Sequence, residues 1–237
     1  MTNLFYQKEC SSTNDEISQV LLYPNLNFVG FYTFNQTKGR GQYGNIWTSQ
    51  PEQNLAYTIA VKTKDIALSD FLFNYYTATA IRDFLAKLTD ITVKIKWPND
   101  IILNKKKVAG ILIEKKKFNE ENYFIIGCGI NILQENFDEI SNAGSVFTQT
   151  GEKFSLKKIT EDFHEFLVGK FKNIHSEKDI LGDFNFNLFK KDEISVFEID
   201  GKRQNGIIRK ADENGEIWIE FEDEIRSFYH KEIKLLY

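Results

Sequence analysis

Within residues 94–114, KIKWPNDIILNKKKVAGILIE, two lysines (Lys96 and Lys107) bracket an acid, Asp100, and Gly110 follows close behind. Two strand-like apolar runs, 101–103 and 108–113, carry these residues, so the charges and a bare stretch of backbone sit close together on a rigid β frame. Such a grouping suits the meeting of a carboxylate, a phosphate and a divalent ion. Ahead of the first run, Pro98 fixes φ and removes a donor, and Asn99 and Asp100 are turn formers, so Trp-Pro-Asn-Asp reads as a shaped turn entering a strand. For Lys105 and Lys106 the plainer reading holds, a solvated lysine-rich hairpin tip.

The elements around this block alternate only partly. A strand at 4–9 precedes Ser12-Thr13-Asn14-Asp15, which offers N-cap chemistry to a helix ending near residue 22. The aromatic run 28–34 reads as a buried strand, followed by a polar, glycine-containing loop, QTKGRGQYGN, that leads to Trp47. Residues 55–62 form a strand, 69–88 an amphipathic helix, and 123–133 a strand containing Gly-Cys-Gly-Ile-Asn. The expectation is an α+β fold, a mixed sheet with helices on one face. Ser155 caps a further helix, and helical character persists to about residue 191. Short strands at 193–199, 203–210, 216–221 and 225–229 and a C-terminal one then follow, separated by Asp-Gly and Glu-Asn-Gly turns. That pattern predicts a small SH3-like barrel over 191–237 behind a larger domain over 1–190.

Composition narrows the function. With 42% hydrophobic and 27% charged residues, the 237-residue chain has globular values. It has no apolar run long enough to span a membrane, and MTNLFYQKEC does not read as a secretory leader. Two cysteines, Cys10 and Cys128, make no disulfide framework and point to a reducing cytoplasm, Cys128 as a small buried apolar residue rather than a nucleophile. A net charge of −4 argues against a nucleic-acid-binding protein. His164, His175 and His230 show no zinc-ligand spacing, and neither a Gly-x-Ser-x-Gly elbow nor a phosphate-binding P-loop motif occurs.

Further motifs join the central block in order along the chain: Ser12-Thr13-Asn14; Gln36 with Gly39-Arg40-Gly41 and Trp47; Lys96-Trp97-Pro98-Asn99-Asp100 with Lys107-Val108-Ala109-Gly110; and Gly127-Cys128-Gly129-Ile130-Asn131. Singly, each has a bland account: Ser12 and Thr13 as helix caps, Trp47 as a core aromatic, Gly127 and Gly129 as relief of crowding. Together they closely resemble biotin protein ligases, which attach biotin to a lysine of biotin-dependent carboxylases. The stretch from Asn142-Ala143-Gly144-Ser145 to Gly151 resembles that family's loop over the nucleotide.

The resemblance implies that biotin's carboxylate is first joined to AMP from ATP and that the biotinyl group then passes to a carrier-protein lysine. It implies that Arg40, Lys96 and Lys107 offset the meeting of two anions, and that Asp100 stands on the side of a Mg²⁺ ion. Ser12, Thr13, Asn14, Gln36, Gly39, Arg40, Gly41, Lys107 and Gly110 would face biotin. Arg40, Trp47, Asn99, Lys107 and Asn131 would face ATP or the adenylate. The expected partner is a biotin carboxyl carrier protein or biotin-dependent carboxylase, and a homodimer is compatible with the sequence. Some relatives also repress transcription through an N-terminal winged helix. Ser12-Thr13 arrives after only eleven residues here, so no DNA partner is expected. The chain departs from the family at Gln42 and Asn45, where arginines are common. Two rivals remain: a lipoate or octanoate ligase of the same fold group, whose arginine- and glycine-rich loop is not found here, and a non-catalytic binding protein on a decayed core.

Overall fold

The computed structural model describes residues 3–22, 27–137 and 140–237. The first part is a seven-stranded sheet in the order β1-β2-β5-β9-β8-β7-β6. Its strands are β1 (Leu4–Tyr6), β2 (Val29–Thr33), β5 (Asn54–Lys62), β6 (Val93–Lys96), β7 (Asp100–Leu103), β8 (Lys106–Phe118) and β9 (Glu121–Asn131). Only β1 and β2 run parallel, so the sheet is mixed. Between β2 and β5, the glycine-containing loop predicted from sequence is itself a small hairpin, β3 (Gly39–Arg40) with β4 (Ile46–Trp47). Asn104 and Lys105 both adopt positive φ (47° and 66°) in the two-residue turn joining β7 to β8, a geometry that matches the strand twist. Lys105 is exposed there as expected, but Lys106 is not a free tip, because its ammonium donates to the Ser141 carbonyl.

Among the described residues, five α-helices accompany the strands: α1 (Thr13–Val20), α2 (Asp70–Ala86), α3 (Val146–Thr150), α4 (Leu156–Lys172) and α5 (Glu177–Phe186). The sequence reading put the helices on one face, and the structure corrects this. Tyr57, Ile59, Ile126 and Cys128 bury one face with α2 and α4, whereas Phe31, Ala60 and Ile125 bury the other with Ile17 and Val20 of α1. Both faces of the inner strands are therefore covered, which explains the nearly unbroken burial of β2 and β5. Ser12 does stand at the N-cap of α1, but its hydroxyl makes no capping bond there; Ser69, Ser145, Ser155 and Ser176 do cap their helices.

A second, antiparallel sheet follows α5 in the order β13-β12-β11-β10-β14. It comprises β10 (Ile194–Ile199), β11 (Lys202–Ala211), β12 (Ile217–Glu220), β13 (Ile225–Phe228) and β14 (Lys234–Leu236), as expected of an SH3-like module. Its apolar side (Phe197, Ile208, Ile217 and Ile219) merges into the same hydrophobic cluster as the large sheet. The segment before β10 lies along β6: the Ile95 N–H donates to the Asn187 carbonyl and the Phe189 N–H to the Ile95 carbonyl, each at 2.8 Å. An open sheet edge is thereby covered.

Candidate functional site

Strand register builds the site. Lys96, Asp100, Gly110, Gly129 and Ala56 stand directly opposite one another across β6, β7, β8, β9 and β5, so all five face the same way. The next row on that face is Leu112, Gly127 and Thr58. Small residues make a flat floor, and the charges gather at its β6 edge.

Lys107 would ordinarily point to the other face, since it precedes Gly110 by three residues. A bulge corrects the parity. Ile101 pairs with Ala109 but Ile102 with Lys107, leaving Val108 without a partner on β7. The Lys107 ammonium therefore reaches Asp100 at 2.7 Å, while that of Lys96 stands 3.7 Å from the same carboxylate. Burial holds the Lys96 ammonium below its usual range, opposed by the nearby Asp100 carboxylate. The main chain of Lys107 pairs with the 142–145 loop: its N–H donates to Asn142 (2.7 Å) and its carbonyl accepts from Gly144 (3.0 Å).

The β3–β4 hairpin folds over this floor and lays Trp47 on it. A Cβ at Gly110 would stand 2.9 Å from Trp47 Cζ3, and one at Gly129 2.5 Å from its Nε1, so glycine is what allows the indole so close. The Lys107 ammonium lies 5.5 Å from the same ring. Gly127 serves Asn14 in the same way, for a Cβ there would stand 2.9 Å from the Asn14 Cγ.

A cleft of about 220 Å³ lies between floor and hairpin. Ser12, Thr13, Asn14, Gln36, Arg40, Gly41, Trp47, Lys96, Asn99, Asp100, Lys107 and Gly110 all line it, which gathers most of the residues singled out in the sequence. Their states differ. The Gln36 Oε1 accepts the Thr13 N–H at 2.8 Å. The Asn14 amide donates to Glu114 at 2.8 Å, and its oxygen lies 2.7 Å from the Thr58 hydroxyl. Thr13 and Asn14 are thus braced by protein partners. Arg40 binds Asp15 at 2.8 Å and stands 3.7 Å from Glu114. Burial raises the Asp15 carboxyl, but bonds from Lys116 and Arg40 outweigh it and hold the group below its ordinary range. Gln42 and Asn45 also line the cleft.

Gly39 and Asn131 do not line it. Gly39 is buried under Trp47, where a Cβ would crowd the Trp47 backbone and stand 2.7 Å from the Gln36 amide nitrogen. The Asn131 amide donates to the Gly144 carbonyl at 3.0 Å, tying β9 to the 142–145 loop. Asn99 lines the cleft yet is buried, its amide donating to the Ile111 carbonyl at 2.6 Å.

Residues that the sequence did not flag also belong here. Thr58 and Glu114 brace the motif residues, and only strand register reveals them. His230 lines the cleft from beyond β13, and the Tyr237 ring lies 5.5 Å from the Lys96 ammonium. Burial lowers the His230 imidazole below its ordinary range and pushes the Tyr237 hydroxyl up to about 12. No local signal marks either one.

Comparison with known proteins places this geometry. The chain is 34% identical over 138 residues to the chloroplastic biotin–protein ligase 1 of Arabidopsis thaliana, covering 54% of this chain and 36% of that one. It is 36% identical over 124 residues to the bifunctional ligase/repressor BirA of Bacillus subtilis, covering 50% and 38%. The chain therefore spans little more than a third of the length of these curated relatives. Its fold matches biotin protein ligase from Aquifex aeolicus, solved with biotin and ATP, with a TM-score of 0.81 over 100% of this chain and 99% of that one at 23% identity. Biotin protein ligase from Leishmania major, solved with biotin, gives 0.70 over 98% and 100% at 21% identity. The family model for biotin/lipoate A/B protein ligases matches residues 12–131, half of the chain and nearly all of the cleft. The chain belongs to the biotin/lipoate A/B protein ligase family.

Proposed function

We propose that this chain activates biotin with ATP to biotinyl-5′-AMP and passes the biotinyl group to a lysine of a carboxylase carrier domain. The observation that carries this reading is the sharing of one cleft by a polar end, around Ser12 and Gln36, and a cationic end at Lys96 and Lys107. In the first step a carboxylate oxygen attacks the α-phosphorus and pyrophosphate leaves. Lys96 and Lys107, already turned toward one carboxylate, would offset the charge of the two approaching anions. In the second step the carrier's amine attacks the acyl carbon, forming an amide and breaking its bond to the AMP oxygen.

The polar end suits a ureido ring. Ser12 Oγ and Gln36 Nε2 make no hydrogen bond to protein among the described residues, leaving a hydroxyl and a donor for the ligand, while Thr13, Asn14 and Thr58 hold them in place. Asp100 is the one carboxylate lining the cleft among the described residues. A single protein carboxylate completed by phosphate oxygens and water is how Mg²⁺ commonly binds. Asp100 would hold the ion, which would neutralise phosphate charge. A cytoplasmic setting fits the two free, buried cysteines, and the acidic balance offers nothing to DNA.

Exchange of labelled pyrophosphate into ATP tests the assignment. Biotin should support exchange and lipoate should not. Comparable exchange with lipoate would refute the reading in favour of the lipoate branch, and no exchange with either would favour a binding protein.

A further inference from the structure

The loop between β13 and β14 reaches the cleft from the C-terminal sheet. Its His230 ring packs edge-on against Trp97, with centroids 5.7 Å apart and an interplanar angle of 87°, and lies 4.9 Å from the Tyr43 ring. The neighbouring Lys231 ammonium stands 4.4 Å above the same Tyr43 ring. Tyr43 is the middle residue of the turn Gln42–Gly44 between β3 and β4, and it holds a left-handed conformation, φ 56° and ψ 35°. A tyrosine there is strained, and such strain persists only where the surroundings hold it. Tyr43 is 62% exposed, so no core grips it. Its ring contacts are with His230 and Lys231.

His230 also divides space. On one side is the cleft; on the other is a groove of about 490 Å³ bounded by Phe71, Tyr75, Pro98 and Tyr229. Gln42 and His230 line both, and thus form the partition between them. Among the described residues the buried Nδ1 of His230 has no hydrogen-bond partner. An unpaired buried nitrogen regains a bond to water if the ring swings out, so the partition is held by ring packing and not by a polar anchor.

We propose that His230 is a positioning residue, a latch by which the C-terminal sheet fastens the Gln42–Gly44 turn and closes the side of the cleft against escape of the activated intermediate. This rests on the acyl-adenylate reading above. An acyl-adenylate that leaves before its acceptor lysine arrives is lost to hydrolysis or to bystander amines, so retention is part of the reaction's specificity. The latch makes retention a joint property of the two sheets.

The test uses the full chain. Enzyme is loaded with labelled biotin and ATP, and release of the adenylate is followed after dilution into unlabelled ligand. Tyr43→Ala, at an exposed position, and His230→Ala should each release the adenylate about three- to ten-fold faster, the range expected for losing an aromatic contact. The double variant should be no leakier than the worse single variant, because both substitutions remove one contact. His230→Phe should retain the adenylate, since the ring and not the nitrogen does the fastening. Unchanged release in both single variants, additive effects in the double, or a His230→Phe as leaky as His230→Ala would each overturn the proposal. Amide hydrogen exchange of residues 42–45 in the unliganded protein reads the latch without any substrate. It should quicken in His230→Ala and not in His230→Phe, and equal exchange in all forms would overturn the latch even if the wild type makes no adenylate.

Discussion

Gly129→Ala is the sharpest perturbation of the site's geometry. The added methyl would stand 2.5 Å from the Trp47 Nε1, where ordinary contact begins near 3.4 Å, so the indole must retreat by about an ångström or the β3–β4 hairpin must lift. Forcing a methyl into a packed contact typically costs about 1–3 kcal/mol. Misplacing a covering group by that distance can cost on the order of a hundred-fold in rate. Denaturant midpoints measure the first quantity and biotin-dependent pyrophosphate exchange the second. Trp47→Ala removes the group being struck, so Gly129→Ala should cost much less stability in that background than in the wild type. Equal cost in the two backgrounds would show that the indole does not lie on Gly129.

Lys107→Ala and Arg40→Ala each remove a cation lining the cleft and should slow adenylation by roughly ten- to a hundred-fold while sparing the fold; unchanged single-turnover rates in both would move the phosphate site elsewhere. Gln42→Arg places a cation on the partition and should slow adenylate release with little effect on its formation, which the loading-and-dilution assay reads; an equal or faster off-rate means position 42 does not face the phosphate. The buried His164 Nδ1 and the Tyr57 hydroxyl share a hydrogen bond of 2.7 Å, and burial lowers the His164 pKa to about 4. It stays neutral in the fold, so its contribution is whole above an unfolded pKa of about 6.5 and fades as pH falls toward the folded value, removing up to about 3 kcal/mol. Urea midpoints from pH 7 to 4 should fall less steeply for His164→Gln, and parallel curves would exclude His164 as the cause.

The charged end was legible because its geometry is local. Lys96, Asp100, Lys107 and Gly110 lie within fifteen residues of one another, on adjacent strands joined by tight turns, so spacing brings them near one another, and the bulge at Val108, which spacing does not reveal, turns Lys107 to their face. The motif around Gly127 and Gly129 was legible as a type of residue, but its reason was not. The glycines make room for Asn14 and for Trp47, which arrive from far along the chain. Face assignment failed for α1 because a short helix on either side of a doubly covered sheet has the same sequence pattern. Arg40 has no acid within its own loop, QTKGRGQYGN, whereas in the fold Asp15, on α1, and Glu114, on β8, stand beside it. His230 and Tyr237 were invisible because tertiary packing of the second sheet alone brings them in.

The unpaired Val108 has a consequence for how this site tolerates change. A strand counts in twos, and the bulge inserts an odd beat that sets Lys107 beside Asp100. Were Val108 instead drawn into a regular ladder, it would pair with Ile102 and Lys107 with Leu103, turning the lysine toward the opposite, helix-covered side while every reactive side chain stayed in the chain. For the chemistry, such a slip amounts to losing the lysine. An inventory of residue types would count the site intact, so here the pairing of two strands carries as much information as the identity of their side chains.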